Sequence, residues 1–182
     1  LGLPGAIAVF GNAVPITLQT FGVMLVGSLL GARKGALSML VLLALVAAGL
    51  PLLAGGRGGL GVFAGPSVGY LLAWPIAAYV IGRIVEAGGP GYRWTRGLIA
   101  NLVGGVAVIY ALGIPLQAWR TGVPLAETGV LAGAFVPGYV VKAVLATGVA
   151  GGVHRAMPDL LERPAAPHHA AETSDALRRP AP

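Results

Sequence analysis

The residues best suited to chemistry lie in the stretch FVPGYVVKAVLA (135–146), where Lys142 falls within an apolar run and has no acidic residue within several positions. A lysine placed in a membrane without a partner costs several kcal/mol, which makes such a residue a functional hypothesis by default. Tyr139 stands three residues earlier, on the same helix face. Together they offer a cation and a phenol to one ligand. The bland alternative is snorkelling. A helix beginning near Pro137 would put Lys142 only ~7.5 Å from its end, within reach of an interface.

A second candidate is the glycine-packed stretch GLPLLAGGRGGLGVFAGPSVGY (49–70), with Arg57 at its centre. Repeated glycines free φ and ψ and let backbone approach a ligand closely. The cost is a loop that is hard to hold still, which a gate tolerates. Arg57 reads either as a plain surface charge or as a ligand donor or latch. Gly56, Gly58 and Gly61 satisfy G-x-G-x-x-G, but that fingerprint needs a strand before it and a helix opening on it. Gly22, Gly27, Gly104 and Gly105 lie inside apolar runs, where small residues let membrane helices approach.

Other chemistries find little support. No G-x-x-x-x-G-K-[ST] occurs, so active transport would draw its energy from a partner or an ion gradient. The acids are Glu86, Glu127, Asp159, Glu162, Glu172 and Asp175, none well inside an apolar run, and no Ser-His-Asp set is present. An enzyme is a poor reading, and no catalytic residue is assigned. The neighbours His168 and His169 sit in a polar tail and are not read as a metal site.

The elements that must position these residues follow from composition. The 182 residues are 56% hydrophobic and 10% charged, with a mean hydropathy of +0.83, against about 25% charged in a soluble domain. Too little polar surface exists to wrap such a chain in water, so lipid is its solvent. The pI near 10.3 does not signal nucleic acid, because the basic residues sit at the ends of apolar runs. A spanning helix needs about 20 apolar residues, and the candidates are roughly 15–32, 35–53, 67–85, 97–118 and 129–153. The last contains Pro137-Gly138 and reads as a short irregular piece followed by a helix starting near Pro137, where a missing N–H is tolerated.

Arg33, Lys34, Arg83, Arg93, Arg96, Arg155 and Arg163 fall on one side of these spans, and only Arg57 and Arg120 on the other. The positive-inside rule makes the first side cytoplasmic and turns the glycine loop outward. Tyr92, Trp94 and Trp119 lie beside span ends and read as interfacial anchors. Asn101 reads as a helix–helix hydrogen-bonding residue. Residues 15–157 are thus expected to form an all-α membrane domain with an outward loop over 54–66. The polar segment 158–182 reads as a disordered cytoplasmic tail. The Gly- and Pro-interrupted stretch 1–14 reads as the remnant of a truncated first helix and its connecting loop.

VPITLQTFGVMLVGSLLGARKGALS (14–38), GLPLLAGGRGGLGVFAGPSVGYLLAW (49–74) and VPGYVVKAVLA (136–146) together resemble the BioY family. These are the biotin-specific substrate-capture (S) components of energy-coupling factor (ECF) transporters. The resemblance covers about 14–155. It implies a bundle of six transmembrane helices, about five visible here, in the bacterial inner (plasma) membrane. It implies partners too: an ECF coupling transmembrane subunit and two ABC-type ATPases that use the ATP, the chain itself needing no cofactor. It also places the glycine loop over a biotin pocket. The site residues expected on that basis are Lys142, Tyr139, Arg57, Tyr70, Phe63, Gly58 and Gln19. Phe63 and Tyr70 would wall the rings, with Trp74 a further candidate. Loop backbone, Gln19 and Tyr139 would meet the ureido group, and Lys142 or Arg57 the carboxylate.

One departure stands out. The family resemblance leads to an acid in a G-D-x-x-K pattern, and this chain reads Gly138-Tyr139-Val140-Val141-Lys142. An S component for another vitamin is a competing reading, although cationic thiamine suits Lys142 and Arg57 poorly. A structural or assembly membrane protein, its glycines serving only to pack helices, is another.

Overall fold

A computed structural model describes residues 18–89 and 91–157. The expected first-helix remnant over 1–14 and the polar tail over 158–182 lie outside the described residues. Helices are the main structure, as a lipid solvent requires of backbone that has no water to bond.

Helix α1 spans Gln19–Ala47, but Gly31 breaks it with φ 75° and ψ −174°. A side chain there would be strained, and glycine is not. The break is a reversal: a Cβ at Gly35 would stand 3.3 Å from the Gly27 Cα, although residues eight apart in a straight helix are ~12 Å apart. Arms 19–30 and 32–47 therefore fold back on one another, with Arg33 and Lys34 exposed at the turn. These arms correspond to the first two expected spans.

Helix α2 (Val68–Glu86) is the central element and buries Leu71, Ala73, Trp74, Ala77, Ala78 and Ile81. Its close approach to α1 rests on missing side chains. A Cβ at Gly82 would overlap the Ala32 backbone, and one at Gly27 would meet Ile81 at 2.8 Å. Next, α3 (Trp94–Leu102), a π-helical segment (Val103–Val108) and α4 (Ile109–Thr121) run on as one apolar span, Trp94–Thr121. Gly104 and Gly105 of the π segment pack against Ile81 and Met24. Gly122, left-handed at φ 71°, ends α4 by donating its N–H to the Ala118 carbonyl, a glycine C-cap.

The expected fifth span divides as its proline suggests. Short α5 (Leu125–Gly133) packs against α4, and α6 (Val136–Ala156) starts with Pro137 in its first turn. The elements long and apolar enough to cross a membrane are Gln19–Ala47, Val68–Glu86, Trp94–Thr121 and Val136–Ala156.

The helix directions define two ends of the bundle. One gathers the starts of α1, α2 and α6, the end of α4 and the glycine loop. The other gathers the Gly31 turn, the end of α2, the start of α3 and the end of α6. Two hydrophobic clusters fill the interior, and Tyr110 packs against both. Trp94 and Trp119 are exposed beside the ends of the Trp94–Thr121 span, as interfacial anchors should be. Tyr92 is not: its ring stacks on His154 at 4.9 Å, in space left by Gly97 and Gly151. Burial raises its phenol above the ordinary value, partly offset by the nearby hydroxyls of Thr147 and Ser28.

Candidate ligand-binding site

Lys142 turns inward rather than to an interface, and only 7% of its surface is exposed. Its Nζ donates to Thr20 Oγ1 at 3.3 Å and lies 4.7 Å from the Tyr139 ring centroid. A desolvated cation over an aromatic face gains about 2 kcal/mol. Tyr139 thus answers the departure noted in the sequence, since a ring face stands beside the ammonium where a carboxylate was expected. The spacing that joined Tyr139 to Lys142 does bring the two together.

Gln19 is buried at the first position of α1, next to Thr20. Its Nε2 has no hydrogen-bond partner among the described residues. Leaving a buried donor unsatisfied costs about 1–3 kcal/mol, a penalty that an acceptor on a bound molecule would relieve. The Trp74 Nε1 is buried in the same condition.

Aromatic rings line the interior beside this polar group. Tyr139 meets Tyr110 edge-on, with centroids 5.2 Å apart, and the Tyr110 hydroxyl donates to the Ala132 carbonyl of α5 at 3.0 Å. The Tyr70 hydroxyl donates to Gln117 Oε1 at 2.8 Å, its ring seated where a Cβ on Gly113 would collide with it. Phe63 is half-buried and packs on the same apolar cluster as Tyr70 and Trp74.

The glycine loop is more tightly organised than glycine content alone suggests. Leu53 and Ala54 are buried, and Leu53 pairs with Arg57 through an isolated bridge with an N–H to carbonyl distance of 3.0 Å. Gly59 donates its N–H to the Val46 carbonyl at 2.7 Å. A Cβ at Gly58 would overlap the Leu50 carbonyl, so that glycine serves the loop's own close packing. Arg57 is exposed, and its Nε donates to the Ala54 carbonyl at 3.3 Å. A short 3₁₀ helix, Leu60–Ala64, completes the loop, and Arg120 fastens it to the end of α4 by donating to the Phe63 carbonyl at 3.3 Å. Backbone bonds and one arginine supply the restraint that the glycines lack.

Lys142 and Tyr139 are therefore together, with Gln19 beside their partner Thr20, and Phe63 and Tyr70 share one apolar cluster. Arg57 and Gly58 serve the loop itself. The sequence reading did not single out Thr20, Tyr110 or Arg120 as site residues. Tyr110, Gly113 and Gln117 recur at i, i+3 and i+7, a helix-face spacing that marks the polar face of α4. Thr20 carried no comparable signal.

These features define a multi-pass helical membrane protein with a polar, aromatic-lined interior at one end. The chain matches the BioY family over residues 1–159. It is 45% identical over 151 residues to a biotin transporter BioY of Rhizobium etli, covering 80% of this chain and 81% of that one. It is 42% identical over 170 residues to a biotin transporter BioY of Rhodobacter capsulatus, covering 83% and 84%. Among solved structures it is similar to the S-component for biotin from an ECF-type ABC transporter. There the TM-score is 0.79 and the identity 32%, over 85% of this chain and 83% of that one. The chain belongs to the BioY family.

Proposed function

We propose that this protein is the membrane-embedded biotin-capturing subunit of an ECF-type transporter. The observation that carries the reading is the buried Lys142, seated over Tyr139 and bonded to Thr20 beside the orphaned amide of Gln19. Biotin offers matching groups. Its carboxylate meets Lys142 in a charge-assisted bond, about twice as strong as a neutral one where water is excluded. Its ureido oxygen accepts from Gln19, and its rings lie among Phe63 and Tyr70. Gly58 and Arg57 act on the ligand through the shape of the loop that covers it.

The glycine loop faces outward and the arginine-rich end faces the cytoplasm of the bacterial cell. Arg33, Lys34, Arg83, Arg93 and Arg155 are exposed at that end, as the positive-inside rule asks. A coupling transmembrane subunit and two ABC-type ATPases supply the energy for release inward. The test is titration of the full-length protein, purified in detergent, with biotin, and with thiamine and riboflavin as controls. Saturable biotin binding that neither control displaces is expected. No binding by a folded sample would overturn the reading, and tighter binding of a control would reassign the ligand.

A further inference from the structure

The reversal in α1 leaves two backbone groups without helical partners, and side chains from two other helices take them up. In an unbroken helix the Ala32 N–H would donate to the Ser28 carbonyl. With Gly31 left-handed, the Ala32 N–H instead donates to Glu86 Oε1 at 2.8 Å. The Ser28 carbonyl lies 2.9 Å from His154 Nε2. A carbonyl can only accept, so this ring nitrogen carries the proton. Glu86 closes α2, and His154 lies buried in the last turn of α6. The Ser28 hydroxyl donates to Asn101 Oδ1 at 3.2 Å, and Asn101 Nδ2 donates to Thr147 Oγ1 at 3.0 Å.

Arm 19–30 is thus pinned at both ends to the helix that carries the ligand-site lysine. Thr20 holds Lys142 at one end and Ser28 holds His154 at the other, and both partners ride on α6. Thr20 and Ser28 are ~12 Å apart along their arm, and Lys142 and His154 ~18 Å apart along α6. The arm cannot slide or rotate at the turn without carrying Thr20 off Lys142.

We propose that His154 and Glu86 are positioning residues for ligand capture: by gripping the Ser28–Ala32 turn they set the register of arm 19–30 against α6, and so hold Thr20 and Gln19 in place at Lys142. Coupling between binding events is reciprocal, so a ligand at Lys142 tightens the turn in return. Arg33 and Lys34 are exposed on that turn, so occupancy of the site is displayed at the arginine-rich end of the bundle. The identity of the ligand rests on the reading above, while the mechanical link does not.

The test uses the full-length protein and two pairs of variants. His154→Ala removes the donor, and His154→Gln keeps an N–H in reach. Glu86→Ala removes the acceptor, and Glu86→Gln keeps an oxygen. Biotin affinity is expected to fall about tenfold in each alanine variant and to recover to within about threefold of wild type in each glutamine variant. In a Lys142→Met background His154→Ala should add less than about twofold, because the two residues act through one contact. A full, additive loss in that background would overturn the proposal by showing only general damage to the fold. Should His154→Ala fail to fold, Glu86→Ala carries the same cycle, since Glu86 is exposed.

Hydrogen–deuterium exchange without ligand gives a readout independent of biotin. The alanine variants should speed exchange over 19–24, at the far end of the arm, and leave α4 unchanged. Unchanged exchange over 19–24 in a folded variant would overturn the link. If the wild type binds no biotin while this exchange effect persists, the ligand assignment falls and the positioning role stands.

Discussion

Replacing Lys142 by methionine keeps the length and apolar bulk of the side chain and removes only its charge. In the structure Nζ is buried, 3.3 Å from Thr20 Oγ1 and 4.7 Å from the Tyr139 ring centroid. Those contacts exist before any ligand arrives, so their loss affects free and bound protein alike and largely cancels in affinity. What does not cancel is the bond to the ligand's carboxylate. A hydrogen bond to a charged group contributes about 1.5–3 kcal/mol, and each 1.4 kcal/mol is about tenfold in Kd. Lys142→Met should therefore weaken biotin roughly 10- to 100-fold. The sharper assay compares biotin with its uncharged amide by calorimetry in detergent. Wild type should prefer the acid by about the same factor, and Lys142→Met should bind the two about equally. A folded variant that still distinguishes acid from amide would refute the assignment, because the discriminating cation would then lie elsewhere.

Arg57→Ala should change the biotin Kd by less than about threefold, since an exposed charge is screened by water. A tenfold loss in the same titration would show that Arg57 reaches the ligand. Arg120→Ala frees the Phe63 carbonyl and should speed biotin release about threefold, as loss of one modest hydrogen bond does; an unchanged off-rate in a chase experiment would separate loop anchoring from retention. Gly82→Ala drives a Cβ into the Ala32 backbone and should cost about 1–3 kcal/mol, read as a lower melting temperature in detergent. Asn101→Leu strips Ser28 and Thr147 of a shared buried partner and should cost about as much; a melting temperature equal to wild type would show that the two hydroxyls find other partners.

The helices were largely legible in the sequence because a chain in lipid declares its spans as apolar runs. Arg33 and Lys34 marked the reversal in α1, and Pro137 marked the start of α6. Lys142 was legible for the same reason, as a charge against an apolar background. Its partner was not: Thr20 lies 122 residues away, and nothing in the pattern around a threonine announces which helix it will face. Tyr92 misled because a tyrosine beside a span has the composition of an anchor whether it turns outward or in. Only the space left by Gly97 and Gly151, together with the buried His154, decides the direction. The loop's order was hidden likewise. Glycine content reports what the backbone is free to do, while the bonds from Leu53, Gly59 and Arg120 report what it does.

The π segment Val103–Val108 has a consequence for how this span tolerates change in length. Each bond that reaches five residues back instead of four accommodates extra chain within the helix. Removing one residue from the segment would let it tighten towards an α-helix and turn everything after it by about 100°. Tyr110, Gly113 and Gln117 now face Tyr139 and Tyr70, and such a turn would swing all of them towards lipid, while Asn101, upstream, kept its place. A single-codon deletion here would thus re-aim half of a membrane span without altering any residue that lines the interior. The wide turn acts as a phase shifter, setting the two halves of one helix to separate tasks.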